Sequence, residues 1–177
     1  MPHIAPLELD AIEDPELRTL VAEALALGVP DATFAGILAK VPHYAKALLR
    51  AMLVSHARGS VDHRLKEIIR VMLAGIARDP YFSRLRSKAA IGQGLTEDLI
   101  AAGMARYESD PRFSDADKCA LRYAERMYLA PESIDAAFYA EMKNHFSEAQ
   151  IMELGAFIAF HFGMQAFART LGMSSEA

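Results

Sequence analysis

The chain has 177 residues, 53% hydrophobic and 24% charged, with a net charge of −4, which is enough to bury the core of one or at most two compact domains. Nineteen Lys and Arg against twenty-three Asp and Glu, with no basic block, leave no electrostatic footprint for a phosphate backbone, so nucleic acid is not expected as a partner. A single cysteine, Cys119, excludes an intramolecular disulfide, a two-cysteine redox centre and a zinc site built on several thiolates.

The opening segment MPHIAPLELD has neither a charged n-region nor an apolar h-region, so the expected location is the cytoplasm. Alanine is abundant, and period-two alternation is missing over any useful length, so the expected fold class is all-α. A proline-punctuated arm and a first helix, Glu16 to Leu27, make up residues 1–30. Gly28-Val29-Pro30 stops that helix. The main helical domain is expected over 31–177. Asp31 is placed to cap Ala32 to Lys40, and a third helix from Pro42 to Ala57 carries Leu48, Leu49, Met52 and Leu53 on one stripe. The next has the cleanest period of all, with Leu65, Ile68, Ile69, Met72, Leu73 and Ile76 at steps of three and four.

Asp79-Pro80 ends it. A short helix from Tyr81 to about Ile91 follows, Gly92 and Gly94 close that, and Thr96 caps Glu97 to Ala102. Ser114 starts a helix to about Leu129, another covers Ser133 to Asn144, and Ser147 with Gln150 forms a capping box for the last helix. The longest apolar stretch, Ile151 to Phe167, contains Glu153, His161 and Gln165 and falls short of the roughly 20 residues of a membrane span. It reads as a buried helix, and no membrane partner is expected. A shift of 51 residues places Leu95-Thr96-Glu97 on Phe146-Ser147-Glu148, Ile100 on Ile151 and Pro80 on Pro131. The domain therefore reads as an internal duplication of two similar units, about 61–103 and 114–173.

From Val61-Asp-His-Arg-Leu-Lys-Glu67 through Gly94-Leu-Thr-Glu-Asp-Leu-Ile100, and again from Phe146 to Gly172, the chain resembles the carboxymuconolactone decarboxylase and alkylhydroperoxidase D-like superfamily. Val41-Pro-His-Tyr is similar to the run before the domain in peroxidase-related members. The resemblance covers about residues 28–173 and implies an all-helical, internally duplicated bundle, assembled as a trimer or hexamer. In redox members a glutamate is followed twelve residues later by Cys-x-x-Cys and then by a histidine. Glu67 matches the glutamate, whereas Asp79 and Phe82 stand at the cysteine positions and Arg86 at the histidine position. Neither a carboxylate nor a phenyl ring can attack a peroxide as a thiolate does, so the family's peroxidase mechanism is excluded. Near the C-terminus, where the family shows Asn-x-x-Asn-Arg, this chain has Phe162, Gln165 and Ala166.

Glu67 is the first candidate for catalysis. Its side of the helix also carries Val71, Ala74 and Gly75, so partial burial is expected, which raises a carboxyl pKa unless a cation opposes it. The competing reading is a plain ion pair with Arg70 or Arg86. His161, on a stripe with Glu153, Phe157, Phe160 and Met164, is either a neutral base or a core histidine bonded to a backbone carbonyl. Arg86 either anchors a carboxylate substrate or is a solvated charge. Tyr81 either donates to an oxyanion or is core, and Gln165 joins them as a substrate-binding candidate. His56 and His63, and Glu141 with His145, supply no three convergent ligands, so no metal is expected.

The sequence reading is a cofactor-free lyase or isomerase acting on a small carboxylated or aromatic-derived metabolite, with no cofactor. The alternative is a non-catalytic oligomeric binding or assembly protein. On the first reading Glu67 meets Arg86 or His161 around an internal pocket, and Glu67→Gln removes turnover while leaving the melting temperature nearly unchanged.

Overall fold

Aspartate, serine and threonine start nearly every helix, because their side-chain oxygens accept the backbone N–H groups that a first turn leaves unpaired. In the computed structural model, which describes residues 2–173, Asp14 caps α1 (Pro15–Leu27) and Asp31 caps α2 (Ala32–Leu38). α3 (Pro42–Ala57) begins at a proline, and Asp62 caps α4 (His63–Ile76). Asp79, Ser87 and Thr96 cap α5 (Pro80–Arg84), α6 (Lys88–Gly92) and α7 (Glu97–Ala105). Ser114 and Ser147 form reciprocal capping boxes on α8 (Asp115–Leu129) and α10 (Glu148–Thr170), and Asp135 caps α9 (Ala136–Lys143). Short 3-10 turns lie at Leu9–Ala11 and Pro131–Ser133. Residues 174–177 of the expected domain lie outside the described residues.

Two expectations about helices are corrected. The single helix from Tyr81 to Ile91 is two helices, separated where Leu85 turns extended at ψ 145°. The helix expected from Ser133 begins at Ala136, because Asp135 rather than Ser133 accepts the first-turn N–H, from Phe138 at 2.9 Å. Elsewhere the elements follow the expected order, and Gly28 ends α1 at φ 87°, a left-handed conformation that glycine adopts without steric cost. Moved on by 51 residues, α4 falls on α8 and α7 on the start of α10. Descent from a duplication is a proposal resting on that order.

The core has two apolar clusters. One gathers α4, α7, α8, α9 and the first half of α10. The other gathers α1, α2, α3 and α5 with the far end of α10. α4 lies at the centre, and every residue from Leu65 to Ala74 is buried. Its clean apolar stripe therefore does not mark a solvent-facing reverse side, since Lys66, Glu67 and Arg70 on the other side are buried as well. α10 has 23 residues and is long and apolar enough to cross a membrane by length and composition alone, which corrects the shorter estimate. Here it lies along α4, with Leu154, Phe157, Ile158 and Ala168 fully buried, while Met152, Phe162 and Phe167 are exposed.

Candidate functional site

A charged, hydrogen-bonded layer lies where α3, α4 and α10 meet. Glu67 is completely buried, and its carboxylate accepts four bonds. Arg70 donates from Nε at 2.8 Å and from its terminal nitrogen at 2.7 Å. His56 Nε2 lies at 2.7 Å and the Ser87 backbone N–H at 2.8 Å. Burial by itself would raise the Glu67 pKa, but the Arg70 charge and hydrogen bonds, followed by those of His56, hold the carboxyl well below the usual range. The carboxylate is thus ionised at any working pH. Glu67 is not the proton-moving group expected from its position, and its cation is Arg70 rather than Arg86.

Arg70 also donates to the carbonyls of Phe82 at 2.8 Å and Leu85 at 2.5 Å. With Ser87 N–H on Glu67, the ion pair supplies partners for peptide groups on both sides of the break between α5 and α6. A buried break needs such partners, because an unpaired backbone group away from water costs as much as a lost hydrogen bond. This explains why the expected single helix divides there.

His56 is the residue the sequence reading set aside. It sits on the buried stripe Leu49, Met52, Leu53 and His56 of α3, a spacing of three, four and seven that would have marked it as inward-facing. Because an ionised carboxylate only accepts, His56 Nε2 carries the proton, leaving the lone pair on Nδ1. Burial pushes the His56 pKa down to about 4, against the pull of Glu67. His63 stacks on it at 4.7 Å between ring centroids and bonds the His56 carbonyl and the Ser87 hydroxyl.

His161 approaches His56 from α10, with ring centroids 5.5 Å apart, and contacts Phe157 at 4.3 Å and Phe160 at 5.5 Å. It is buried, and among the described residues neither ring nitrogen has a hydrogen-bond partner. The carbonyl partner expected for a core histidine is therefore not what holds it. Burial, then the positive charges nearby, keep its pKa well below the ordinary value. Gln165, one turn on, donates to the Arg70 carbonyl at 3.0 Å and leaves its own oxygen unpartnered.

The remaining candidates lie elsewhere. Arg86 closes its fork on Glu97 at 2.7 and 2.9 Å and donates to the carbonyls of Ser83 and Leu85, so its nitrogens are engaged at the surface. Tyr81 is buried but gives its hydroxyl to Asp31 at 2.5 Å, with Arg84 over its ring. Burial, then the Asp31 bond, raise its pKa. Neither reaches Glu67. Asp79, at the first cysteine-equivalent position, caps α5 with one oxygen and leaves the other unpartnered. Among the described residues no group of three or more His, Cys, Asp or Glu could hold a metal ion.

No known family profile matches the sequence. The uncharacterized protein YnjA of Escherichia coli (strain K12) is 34% identical over 71 residues, which is 40% of this chain and 38% of that protein. The match thus spans well under half the length of that curated relative. The comparison that decides the fold is with the alkylhydroperoxidase AhpD core of an uncharacterized peroxidase-related protein from Ralstonia eutropha JMP134. Its crystal structure superposes with a TM-score of 0.81 over 97% of this chain and 90% of that one, at 16% identity. The chain has the alkylhydroperoxidase D-like fold.

The same fold is shared with the debrominase Bmp8, crystallised in complex with 2,3,4-tribromopyrrole, at a TM-score of 0.78, 19% identity and coverage of 98% and 91%. A peroxidase-related protein from Silicibacter sp. TM1040 superposes at 0.74, with 16% identity and coverage of 96% and 90%. Within this alkylhydroperoxidase D-like bundle, Asp79 and Phe82 supply no thiol, and Cys119 is buried, its thiol pKa raised by burial. No thiol-dependent hydroperoxide consumption is expected with a dithiol reductant. Sustained turnover that disappears in Cys119→Ser would contradict this.

Proposed function

We propose that this alkylhydroperoxidase D-like chain belongs to the superfamily it resembles and is a cofactor-free acid–base enzyme, a lyase or isomerase of small aromatic-derived metabolites. The observation that carries the reading is the buried His161, with neither ring nitrogen partnered, beside a His56 whose other edge is fixed by an ionised carboxylate. Hydrogen-bonded histidines are ordinary in a core, but two neutral imidazoles facing each other with free lone pairs are suited to accepting and returning a proton. Glu67 then orients His56 and offsets the charge that develops on it when a proton arrives, as a carboxylate does for the histidine of a catalytic triad.

The rings of Phe157 and Phe160 around His161 favour a flat apolar substrate, and the debrominase of the same fold holds a halogenated pyrrole. The Arg86 fork is already filled by Glu97, which disfavours the carboxylated part of the expected class. Phe160, half-buried and edge-on to His161, is the ring that must move for a substrate to enter. A cytoplasmic trimer or hexamer is the proposed assembly, with Leu129, Met152 and Phe162 the exposed apolar side chains it would cover. A non-catalytic binding or assembly role is favoured by one observation, the complete engagement of Glu67 and Arg70 in structural bonds.

The discriminating experiment incubates the protein in D2O with small aromatic C–H acids, including any that co-purify, and follows deuterium incorporation by mass spectrometry. Enzyme-dependent exchange that falls about a hundredfold or more in His56→Asn and in His161→Asn is the expected result. If exchange is missing, or equal in both variants, the acid–base reading is wrong and the binding role takes its place.

A further inference from the structure

Lys66 is a lysine with no exposed surface, and an ammonium is buried only where every proton finds an acceptor. Its Nζ donates to the carbonyl of Ser55 at 3.0 Å and of Arg58 at 2.8 Å and pairs with the Glu153 carboxylate. The first two acceptors lie on either side of His56 in the last turn of α3. The third lies on α10, two turns before His161. Glu153 in turn accepts from the N–H and hydroxyl of Ser60, at 2.9 and 3.0 Å, and from the N–H of Val61 at 3.2 Å.

The loop between α3 and α4 is therefore built around this pair. Gly59, at φ 108°, leaves so little room that an added Cβ would lie 2.3 Å from a Glu153 carboxylate oxygen. Phe157 lies between the pair and the imidazoles, 6.0 Å from Nζ, 5.9 Å from the His56 ring and 4.3 Å from the His161 ring.

We propose that Lys66 and Glu153 are positioning residues that set the juxtaposition of His56 and His161, by tying the end of α3 to the start of α10 across α4. The inference rests on the acid–base reading only for its catalytic consequence. The geometry itself concerns two rings on two different helices. Nothing else described between Ser55 and Val61 ties that turn to α10 through a charged contact, and a buried ion pair with one preferred geometry specifies register better than apolar packing does.

The test is the contact between the two imidazoles, read as the nuclear Overhauser effect between their ring protons in the full-length protein, together with the tautomer of His56 from its ring nitrogen shifts. Lys66→Met keeps the length of the side chain and removes its three donors. The cross-peak is expected to weaken by at least about threefold, with His56 and His161 signals broadened or doubled, while Lys66→Arg retains part of it. If Lys66→Met does not fold, Glu153→Gln serves, because it keeps the shape and removes the ionic half. An unchanged cross-peak and tautomer in whichever variant folds, with only a lower melting temperature, overturns the proposal. Where the wild-type protein exchanges deuterium, the same variants should lose kcat by about tenfold with KM within about twofold, the pattern of misplaced groups. If the wild-type protein catalyses no exchange, the acid–base reading fails while the imidazole contact still decides the positioning role.

Discussion

Glu67→Gln is expected to lower the stability of the fold by about 3–5 kcal/mol, the usual cost of removing one member of a buried ion pair. The amide keeps the shape but deletes the charge that Arg70 and His56 face. Arg70 cannot shed its proton at any working pH and has no water to turn to, since both side chains are completely buried. The amide nitrogen would moreover point a donor at one of the groups that now donate to Glu67, namely Arg70, His56 and Ser87 N–H. This reverses the expectation from sequence that the melting temperature would hardly move. Urea unfolding of the two proteins at neutral pH checks it. A loss below about 1 kcal/mol would mean that the layer relaxes around the neutral group, against the close packing of α4 on every side.

Restoring neutrality should recover little. In a Glu67→Gln, Arg70→Met double variant the unpaired guanidinium is gone, but the carbonyls of Phe82 and Leu85 lose the donors that Arg70 gives them. These two peptide groups lie beside the break between α5 and α6, where no helical partner is available. The double variant is expected to remain destabilised by roughly 2 kcal/mol or more, about 1–3 kcal/mol for each unsatisfied buried group.

The second large effect is loss of stability in mild acid, beginning well above the range in which ordinary carboxylates titrate. An unfolded histidine takes up a proton near pH 6.5, whereas burial among Glu67, Arg70, His63 and His161 holds folded His56 down to about 4. The unfolded state thus binds more protons throughout that interval. Stability is fully present above pH 6.5 and is lost progressively as the pH falls toward 4, by roughly 3 kcal/mol for His56 alone. His161 shifts in the same direction and adds to the loss. Glu67, depressed in the folded state, contributes a further loss only below its unfolded value of 4.5.

Stability measured by denaturant at intervals from pH 7.5 to 4.5 should fall with a slope of more than one proton. His161→Phe, which fills the same space without a titrating ring, should flatten that slope. A stability that stays level between pH 7 and 5 would show that both imidazoles reach solvent when protonated.

The alternation of caps and stop signals in the sequence determined the helices. Asp14, Asp31, Asp62, Thr96, Ser114 and Ser147 each hold the first turn that local chemistry assigns them. The order of those signals was enough to indicate an alkylhydroperoxidase D-like bundle. Glu67 was also legible as a buried carboxylate, because its side of α4 is apolar. Its partners were not. Arg70, three residues on, and Arg86 were equal candidates by sequence, and only the packing of α5 and α6 against α4 turned Arg70 inward and left Arg86 to Glu97. His56, His161, Lys66 and Glu153 come from three helices separated by up to about a hundred residues, and their meeting depends on how α3 and α10 cross α4. A helix's own period states which face is buried but not what that face meets, so the polar layer between the two apolar clusters was decided by tertiary structure alone.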